Sequence, residues 1–102
     1  VDLREGEERQ QHGVIPQAVA IPRGVLEFHV DAASPMFNKE LSPDRRIVLH
    51  CASGGRSALA ADLLQEMGYT NIAHLNGGFG AWKKAGRPVE THEMWRQKKN
   101  DE

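Results

Sequence analysis

The sequence contains a single cysteine among its 102 residues. One cysteine cannot form an intrachain disulfide, which excludes a disulfide-stapled secreted domain and favours a reducing compartment. No uninterrupted apolar run exceeds four residues, which excludes a transmembrane helix and the core of a signal peptide. Neither sign of charge predominates, because 13 lysines and arginines face 14 aspartates and glutamates. Since a nucleic-acid or anionic membrane partner requires a basic surface, we predict neither partner. The single cysteine and the short apolar runs together predict a cytoplasmic protein.

Aromatic residues are also scarce, at 6% of the chain, while apolar residues make up 39% and charged residues 26%. These proportions are ordinary for a folded globular chain and exclude disordered, collagenous and low-complexity classes. A chain of this length removes about two-thirds of its unfolded surface from water. One core therefore suffices, without metal or disulfide support.

Short apolar segments typical of strands alternate along the chain with helix-prone segments. The predicted strands cover residues 1–3, 18–21, 45–50 and 72–75. The predicted helices cover residues 5–11, 25–33, 57–67 and 79–85. This alternation predicts an α/β fold, with a central parallel sheet flanked by helices on both faces and right-handed crossovers.

Two of these elements carry specific packing predictions. The run Ile47–Leu49 is apolar without alternation, which indicates a strand covered on both faces. In the helix at 57–67, four apolar side chains are predicted to form the buried face. They are Leu59, Leu63, Leu64 and Met67.

Several chemical signals converge on the segment His50-Cys51-Ala52-Ser53-Gly54-Gly55-Arg56-Ser57. A buried strand ends there, a loop of small residues follows, and a helix begins. Ligand sites of parallel α/β sheets lie at the carboxyl ends of strands, and small residues let consecutive N–H groups form an anion nest. With the helix N-terminus and Arg56 added, the environment favours a thiolate at Cys51.

A lone cysteine at a strand end is more often a small buried hydrophobe than a nucleophile. Two glycines and a serine between Cys51 and Arg56 have no evident packing purpose, however. The loop composition therefore favours a reactive Cys51.

The chain resembles the rhodanese-like domains over nearly all of residues 1–90. The motifs that carry the resemblance are Val1-Asp2-Leu3-Arg4-Glu5, Gly13-Val14-Ile15-Pro16-Gln17-Ala18, Ile21-Pro22-Arg23-Gly24, Cys51 to Arg56, and Asn76-Gly77-Gly78 with Trp82 and Gly86. Two departures occur, at Val14, where the family often has histidine, and at Gln17, where it often has glycine. Family members normally have a further strand and helix before the opening motif, and this sequence lacks them. We predict a rhodanese-like domain over residues 1–90 and a solvated or loosely docked polar tail over residues 91–102.

The resemblance implies a thiosulfate sulfurtransferase with Cys51 as the catalytic residue. Cys51 would take the outer sulfur of thiosulfate or of a persulfide donor, carry it as a persulfide, and pass it to a thiol, to cyanide or to a sulfur-accepting protein. The implied substrate-binding residues are Ala52, Ser53, Gly54, Gly55, Arg56 and Ser57. The scheme requires no metal and no cofactor.

Two alternatives stay open. A cysteine phosphatase shares the His-Cys start and the Arg-Ser end of this loop, but its signature has five residues between cysteine and arginine, where this sequence has four. A rhodanese-like module that binds partners without turnover usually has its cysteine replaced, whereas Cys51 is present.

The remaining polar residues are given structural roles. Asp2, Arg4 and Glu8 are predicted to form an internal ion-pair set. No histidine has the spacing of a metal ligand, so His74 and the other four are assigned no chemistry.

Overall fold

The computed structural model describes residues 1–100. Its helices are α1 (Gly6–His12), α2 (Leu26–Val30), α3 (Gly55–Glu66), α4 (Gly78–Lys84) and α5 (His92–Asn100), its strands are β1 (Ile47–Leu49) and β2 (Ile72–His74), and 3₁₀ turns span Arg23–Val25 and Lys39–Leu41. The α/β class predicted from the sequence is confirmed, and the two strands of the sheet pair in parallel.

The sheet is narrower than predicted. In β1 and β2, Leu49 pairs with His74 in parallel register. The expected strands at residues 1–3 and 18–21 are reduced to isolated parallel bridges, in which Asp2 pairs with Ala20 on one side and with His50 on the other. Four extended segments therefore lie side by side, and Asp2 occupies an interior position beside the end of β1.

The prediction that β1 is covered on both faces is wrong at one residue. Ile47 and Leu49 are buried, whereas Val48 is 44% exposed. Successive side chains of a strand point to opposite faces of the sheet. Val48 consequently faces a shallow cavity of about 230 Å³ that Leu75 and Trp82 also line.

The predicted buried face of α3 is also wrong in part. Leu59 is 69% exposed and Met67 lies at the surface, while small residues are turned inward. The buried residues of the helix are Ser57, Ala60, Ala61 and Leu64. Small side chains let α3 approach the sheet closely, so two alanines pack inward beside Leu64, the fully buried member of the predicted face. α3 ends at Glu66, one residue before its predicted end, and Gly68 beyond it has φ of +96°, the left-handed conformation common after helix ends.

Residues 92–100 form a helix where the sequence predicted only a polar tail. The Thr91 hydroxyl accepts a hydrogen bond from Met94 N at 3.1 Å, which caps the first turn. The indole N–H of Trp95 donates to the carbonyl of Ala18 at 2.8 Å, and Lys98 pairs with Glu90 at 2.6 Å. This part of the expected tail is thus anchored to the domain, and residues 101–102 lie outside the described range. Among the described residues, no helix has the length and apolarity needed to cross a membrane.

Candidate active site

Cys51 lies between the end of β1 and the start of α3, as the sequence predicted. It is buried, with 1% of its surface exposed. Gly54, at the N-cap of α3, has φ of +111°, a left-handed conformation that favours glycine. This turn brings the N–H of Gly54 within 3.2 Å of the Cys51 Sγ. The loop therefore folds back over the sulfur instead of leading away from it.

Hydrogen-bond donors around the sulfur favour the thiolate. Burial raises the pKa of the Cys51 thiol, but the backbone N–H and hydroxyl of Ser57 and the N–H groups of Gly54 and Ser53 outweigh burial and lower that pKa below its ordinary value. Of the six residues that the sequence analysis implied for binding, Ser53, Gly54 and Ser57 are those whose groups lower the pKa of this thiol.

The first turn of α4 fixes the back of the cysteine loop. The N–H groups of Phe79 and Gly80 donate to the carbonyls of Cys51 and Ala52 at 2.7 and 3.0 Å. Because the N–H and C=O of a trans peptide point in opposite directions, holding the Ala52 carbonyl toward α4 turns the N–H of Ser53 to the sulfur side. Gly78 permits this approach, since a Cβ there would lie 2.5 Å from the Cys51 carbonyl oxygen.

A buried ion pair supports α4 in turn. The Arg4 guanidinium donates to both carboxylate oxygens of Asp2, at 3.1 and 2.9 Å, and lies 4.0 Å from the ring centroid of Phe79. His50 lies 3.5 Å from the same carboxylate. Burial raises the pKa of Asp2, but the neighbouring His50 and the hydrogen bonds from Arg4 outweigh burial and lower that pKa well below its usual range. The Asp2–Arg4 pair therefore contacts Phe79, whose N–H group holds the carbonyl of Cys51.

The predicted ion-pair set of Asp2, Arg4 and Glu8 is wrong for Glu8. Glu8 pairs with Arg56, through hydrogen bonds of 2.7 and 2.8 Å from Arg56 Nη1 and Nη2 to its two carboxylate oxygens. Hydrogen bonding from Arg56 lowers the pKa of Glu8 to about 2, and Glu8 raises the pKa of Arg56 above its ordinary value. Arg56 lies at the rim of the loop, as expected, but its charge is matched by a carboxylate.

The sequence analysis missed a hydrogen bond between α3 and β2. Ser57 Oγ lies 3.2 Å from Nδ1 of His74, and the same oxygen lies 3.7 Å from the Cys51 Sγ. A signal was available, because His74 ends the strand next to β1 and the carboxyl ends of parallel strands meet at one edge of the sheet.

A cavity of about 250 Å³ opens beside the cysteine loop. Glu8 and Ala52 line it on the loop side, and Phe79 and Lys83 line it on the side of α4. A small molecule in this cavity would therefore lie next to the loop that holds the sulfur.

Comparison with known proteins agrees with this geometry. The family model described as "Rhodanese-like domain" matches residues 1–85. The chain belongs to the rhodanese-like family. Apart from Gly86, the motifs that suggested this family in the sequence all lie within the matched range.

Several relatives of this rhodanese-like domain are named as sulfurtransferases. A sulfurtransferase of Allochromatium vinosum is 34% identical over 91% of this chain and 78% of its own length. A putative thiosulfate sulfurtransferase of Schizosaccharomyces pombe is matched over 61% of its length, and an uncharacterized protein of Synechocystis over 49% of its length.

Solved structures share the fold. A rhodanese-related protein of Thermoplasma volcanium has a TM-score of 0.69 and 32% identity, over 87% of this chain and 79% of that one. A protein of unknown function from Rhodopseudomonas palustris, described as a possible tyrosine phosphatase, has a TM-score of 0.84 and 45% identity, over 87% of this chain and 67% of that one. The rhodanese-like fold thus accompanies two different functional descriptions, and the choice between them depends on the site itself.

Proposed function

We propose that the protein is a sulfurtransferase that carries sulfur as a persulfide on Cys51. The observation that carries the proposal is the Gly54 N–H, which donates to the buried sulfur at 3.2 Å, with the Ser57 hydroxyl oxygen 3.7 Å from the same sulfur. These donors stabilise a thiolate, which is the nucleophilic form of cysteine. Sulfurtransferase names among the relatives support the same chemistry.

In the first step the Cys51 thiolate attacks the outer sulfur of thiosulfate. The Sγ–S bond forms as the S–S bond of thiosulfate breaks, and sulfite leaves with the bonding electron pair. The new terminal sulfur carries the negative charge. Neither a proton transfer nor an external oxidant is needed, so the loop has to supply only anion stabilisation.

In the second step an acceptor thiolate, or cyanide, attacks the terminal sulfur of the persulfide. The bond between the two sulfurs breaks, and Cys51 leaves as a thiolate with the electron pair. The same donors that activate the nucleophile stabilise it again as the leaving group. A persulfide donor can replace thiosulfate in the first step by the same exchange, with a thiolate leaving instead of sulfite.

Two features of the loop favour sulfur transfer over phosphatase chemistry. Only four residues separate Cys51 from Arg56, which leaves a smaller ring of N–H groups than a tetrahedral phosphate requires. In addition, both outer nitrogens of Arg56 donate to Glu8. A phosphatase arginine must present that bidentate face to the phosphate oxygens.

Intact mass spectrometry after treatment with thiosulfate tests the proposal directly. We expect the wild-type protein to gain the mass of one sulfur atom, and a following thiol treatment to remove it. Cys51→Ser keeps the size of the side chain but should gain nothing and should form no thiocyanate from thiosulfate and cyanide.

Measuring aryl phosphate hydrolysis with the same preparation distinguishes a sulfurtransferase from a phosphatase. Hydrolysis that depends on Cys51, with no persulfide formed from thiosulfate or from glutathione persulfide, would establish the phosphatase alternative. Absence of both reactions would establish a binding module instead.

A further inference from the structure

The Ser57 hydroxyl lies among three groups that can accept its one hydrogen. Its oxygen is 3.2 Å from the carbonyl oxygen of Gly54, 3.2 Å from Nδ1 of His74 and 3.7 Å from the Cys51 Sγ. Ser57 is fully buried, so bulk water does not replace it as a donor to the sulfur. The acceptor that receives this hydrogen therefore decides whether the hydroxyl stabilises the thiolate.

We propose that His74 is a positioning residue that directs the Ser57 hydroxyl toward the Cys51 thiolate. A proton on Nδ1 of His74 donates to the lone pair of Ser57 Oγ and prevents that nitrogen from accepting the serine hydrogen. The choice then lies between the Gly54 carbonyl and an anionic sulfur. A charged acceptor forms the stronger hydrogen bond, so the hydrogen turns to Cys51.

His74 can donate to Ser57, and Ser57 in turn to Cys51, without a charge on the imidazole. The neutral tautomer with its proton on Nδ1 and the imidazolium both present the same donor to Ser57. Within residues 1–100, His74 has no ion pair with a carboxylate, and its one side-chain hydrogen-bond partner there is Ser57. Donors in series also polarise one another, which strengthens the final bond to the sulfur.

The placement of His74 follows from the sheet. β2 pairs with β1 so that His74 lies opposite Leu49, two positions before Cys51. Leu75 N also donates to Leu49 O at 2.9 Å, which extends the pairing past the end of β2. The imidazole is therefore held on a strand and not on a mobile loop, as a positioning role requires.

The thiolate is needed twice in the proposed reaction, first as the nucleophile and later as the leaving group. His74 should therefore influence the chemical steps more than donor binding. The role in turnover rests on the proposed function, whereas the effect on thiol ionisation does not.

Alkylation of Cys51 by iodoacetamide as a function of pH measures that ionisation without any sulfur donor. We expect His74→Leu to raise the pH midpoint of alkylation by about 0.5 to 1, the size expected when one buried hydrogen bond is lost. His74→Asn, whose amide N–H can reach the position of Nδ1, should restore most of the wild-type midpoint. In turnover, His74→Leu should lower kcat about threefold to tenfold and leave KM for thiosulfate within about twofold.

A double-mutant cycle separates positioning from general damage to the site. In a Ser57→Ala background, His74→Leu should cause no further change in the alkylation midpoint, because its effect passes through the missing hydroxyl. An equal change in both backgrounds would overturn the proposal, as would an unchanged midpoint in the single variant. A normal ionisation effect of His74 together with no persulfide formation would reject the proposed function alone.

Nitrogen NMR of the histidine ring in the wild-type protein provides a test that needs no variant. We expect a protonated Nδ1 at His74 under conditions in which Cys51 is a thiolate. A neutral ring protonated only at Nε2 would show that the serine donates to the histidine, and it would overturn the proposal.

Discussion

Glu8 and Arg56, 48 positions apart in the sequence, are joined by two hydrogen bonds of 2.7 and 2.8 Å at the rim of the cysteine loop. The pair ties α1 to the start of α3 and matches the only formal cation of the loop with a carboxylate. The Cys51 thiolate is therefore stabilised chiefly by backbone and hydroxyl donors, because the charges of Arg56 and Glu8 largely cancel. Arg4, beneath the loop, is likewise paired with Asp2.

Removing the charge of Glu8 should strengthen thiosulfate binding. In Glu8→Gln the Arg56 cation is no longer matched, and one unpaired charge about 4 Å from an anion in water is worth roughly 1 kcal/mol, or about fivefold in affinity. We expect KM for thiosulfate to fall about threefold to tenfold, as measured in steady-state assays.

Removing the cation instead of the carboxylate should weaken thiosulfate binding. Arg56→Ala leaves the Glu8 carboxylate unpaired at the rim, so thiosulfate should bind more weakly than to wild type. In the double variant, Glu8→Gln with Arg56→Ala, both charges are absent and KM should return close to the wild-type value. If Glu8→Gln raises KM instead, the pair acts by holding the loop in shape and not through its charge.

The Glu8–Arg56 pair should make stability depend on pH in acid. The pKa of Glu8 is about 2 in the folded protein, against an ordinary 4.5. A carboxyl with a lowered folded pKa stabilises the protein fully above its unfolded value and loses that contribution as pH falls toward the folded value. The advantage of wild type over Glu8→Gln in urea unfolding should therefore be greatest above pH 4.5 and should shrink toward zero near pH 2.

The neighbouring Glu7 provides a matched control for this measurement. It lies exposed on the same helix and has no ion pair within residues 1–100. Glu7→Gln should stay close to wild type at every pH. A constant difference between wild type and Glu8→Gln from pH 7 down to 2 would contradict the assignment.

Gly78→Ala should displace the cysteine loop. The new methyl group would lie 2.5 Å from the Cys51 carbonyl oxygen, at a residue whose φ of +63° already disfavours a side chain. We expect a loss of at least about 2 kcal/mol in unfolding free energy and slower alkylation of Cys51. Gly86→Ala is the control, because its φ is +74° but nothing lies within 4 Å of the added carbon. It should cost only about 1 kcal/mol of backbone strain and leave the thiol unchanged.

Gln17→Gly should stabilise the protein. Gln17 has φ of +68°, the one positive value among the non-glycine residues described. Left-handed backbone costs such a residue about 1–2 kcal/mol, of which glycine's greater freedom when unfolded offsets about 0.5–1 kcal/mol. Thermal or urea unfolding should show a gain of up to about 1.5 kcal/mol. Gln10→Gly, within α1, should instead destabilise by about 0.5–1 kcal/mol, and a loss in both variants would contradict the strain at Gln17.

Much of this site could be predicted from local sequence. The strand Ile47–Leu49, the small-residue loop after Cys51 and the helix after it are consecutive in the chain, and short-range preferences for strand, turn and helix determine their order. Those preferences also place Cys51 at a strand end and a helix start, which is where an anion nest forms. The family resemblance depends on the same local motifs.

Only the tertiary structure decided which charges and donors meet. Glu8 and Arg56 are distant in sequence, and the choice of Arg56 over Arg4 as the partner of Glu8 depends on where α1 packs. The same holds for His74, which reaches Ser57 because β2 lies beside β1. The inward turn of the alanines of α3 and the exposure of Val48 likewise depend on how closely each element approaches its neighbours. Local sequence favours a conformation for each segment, whereas side chains far apart in the chain are matched only when those segments pack.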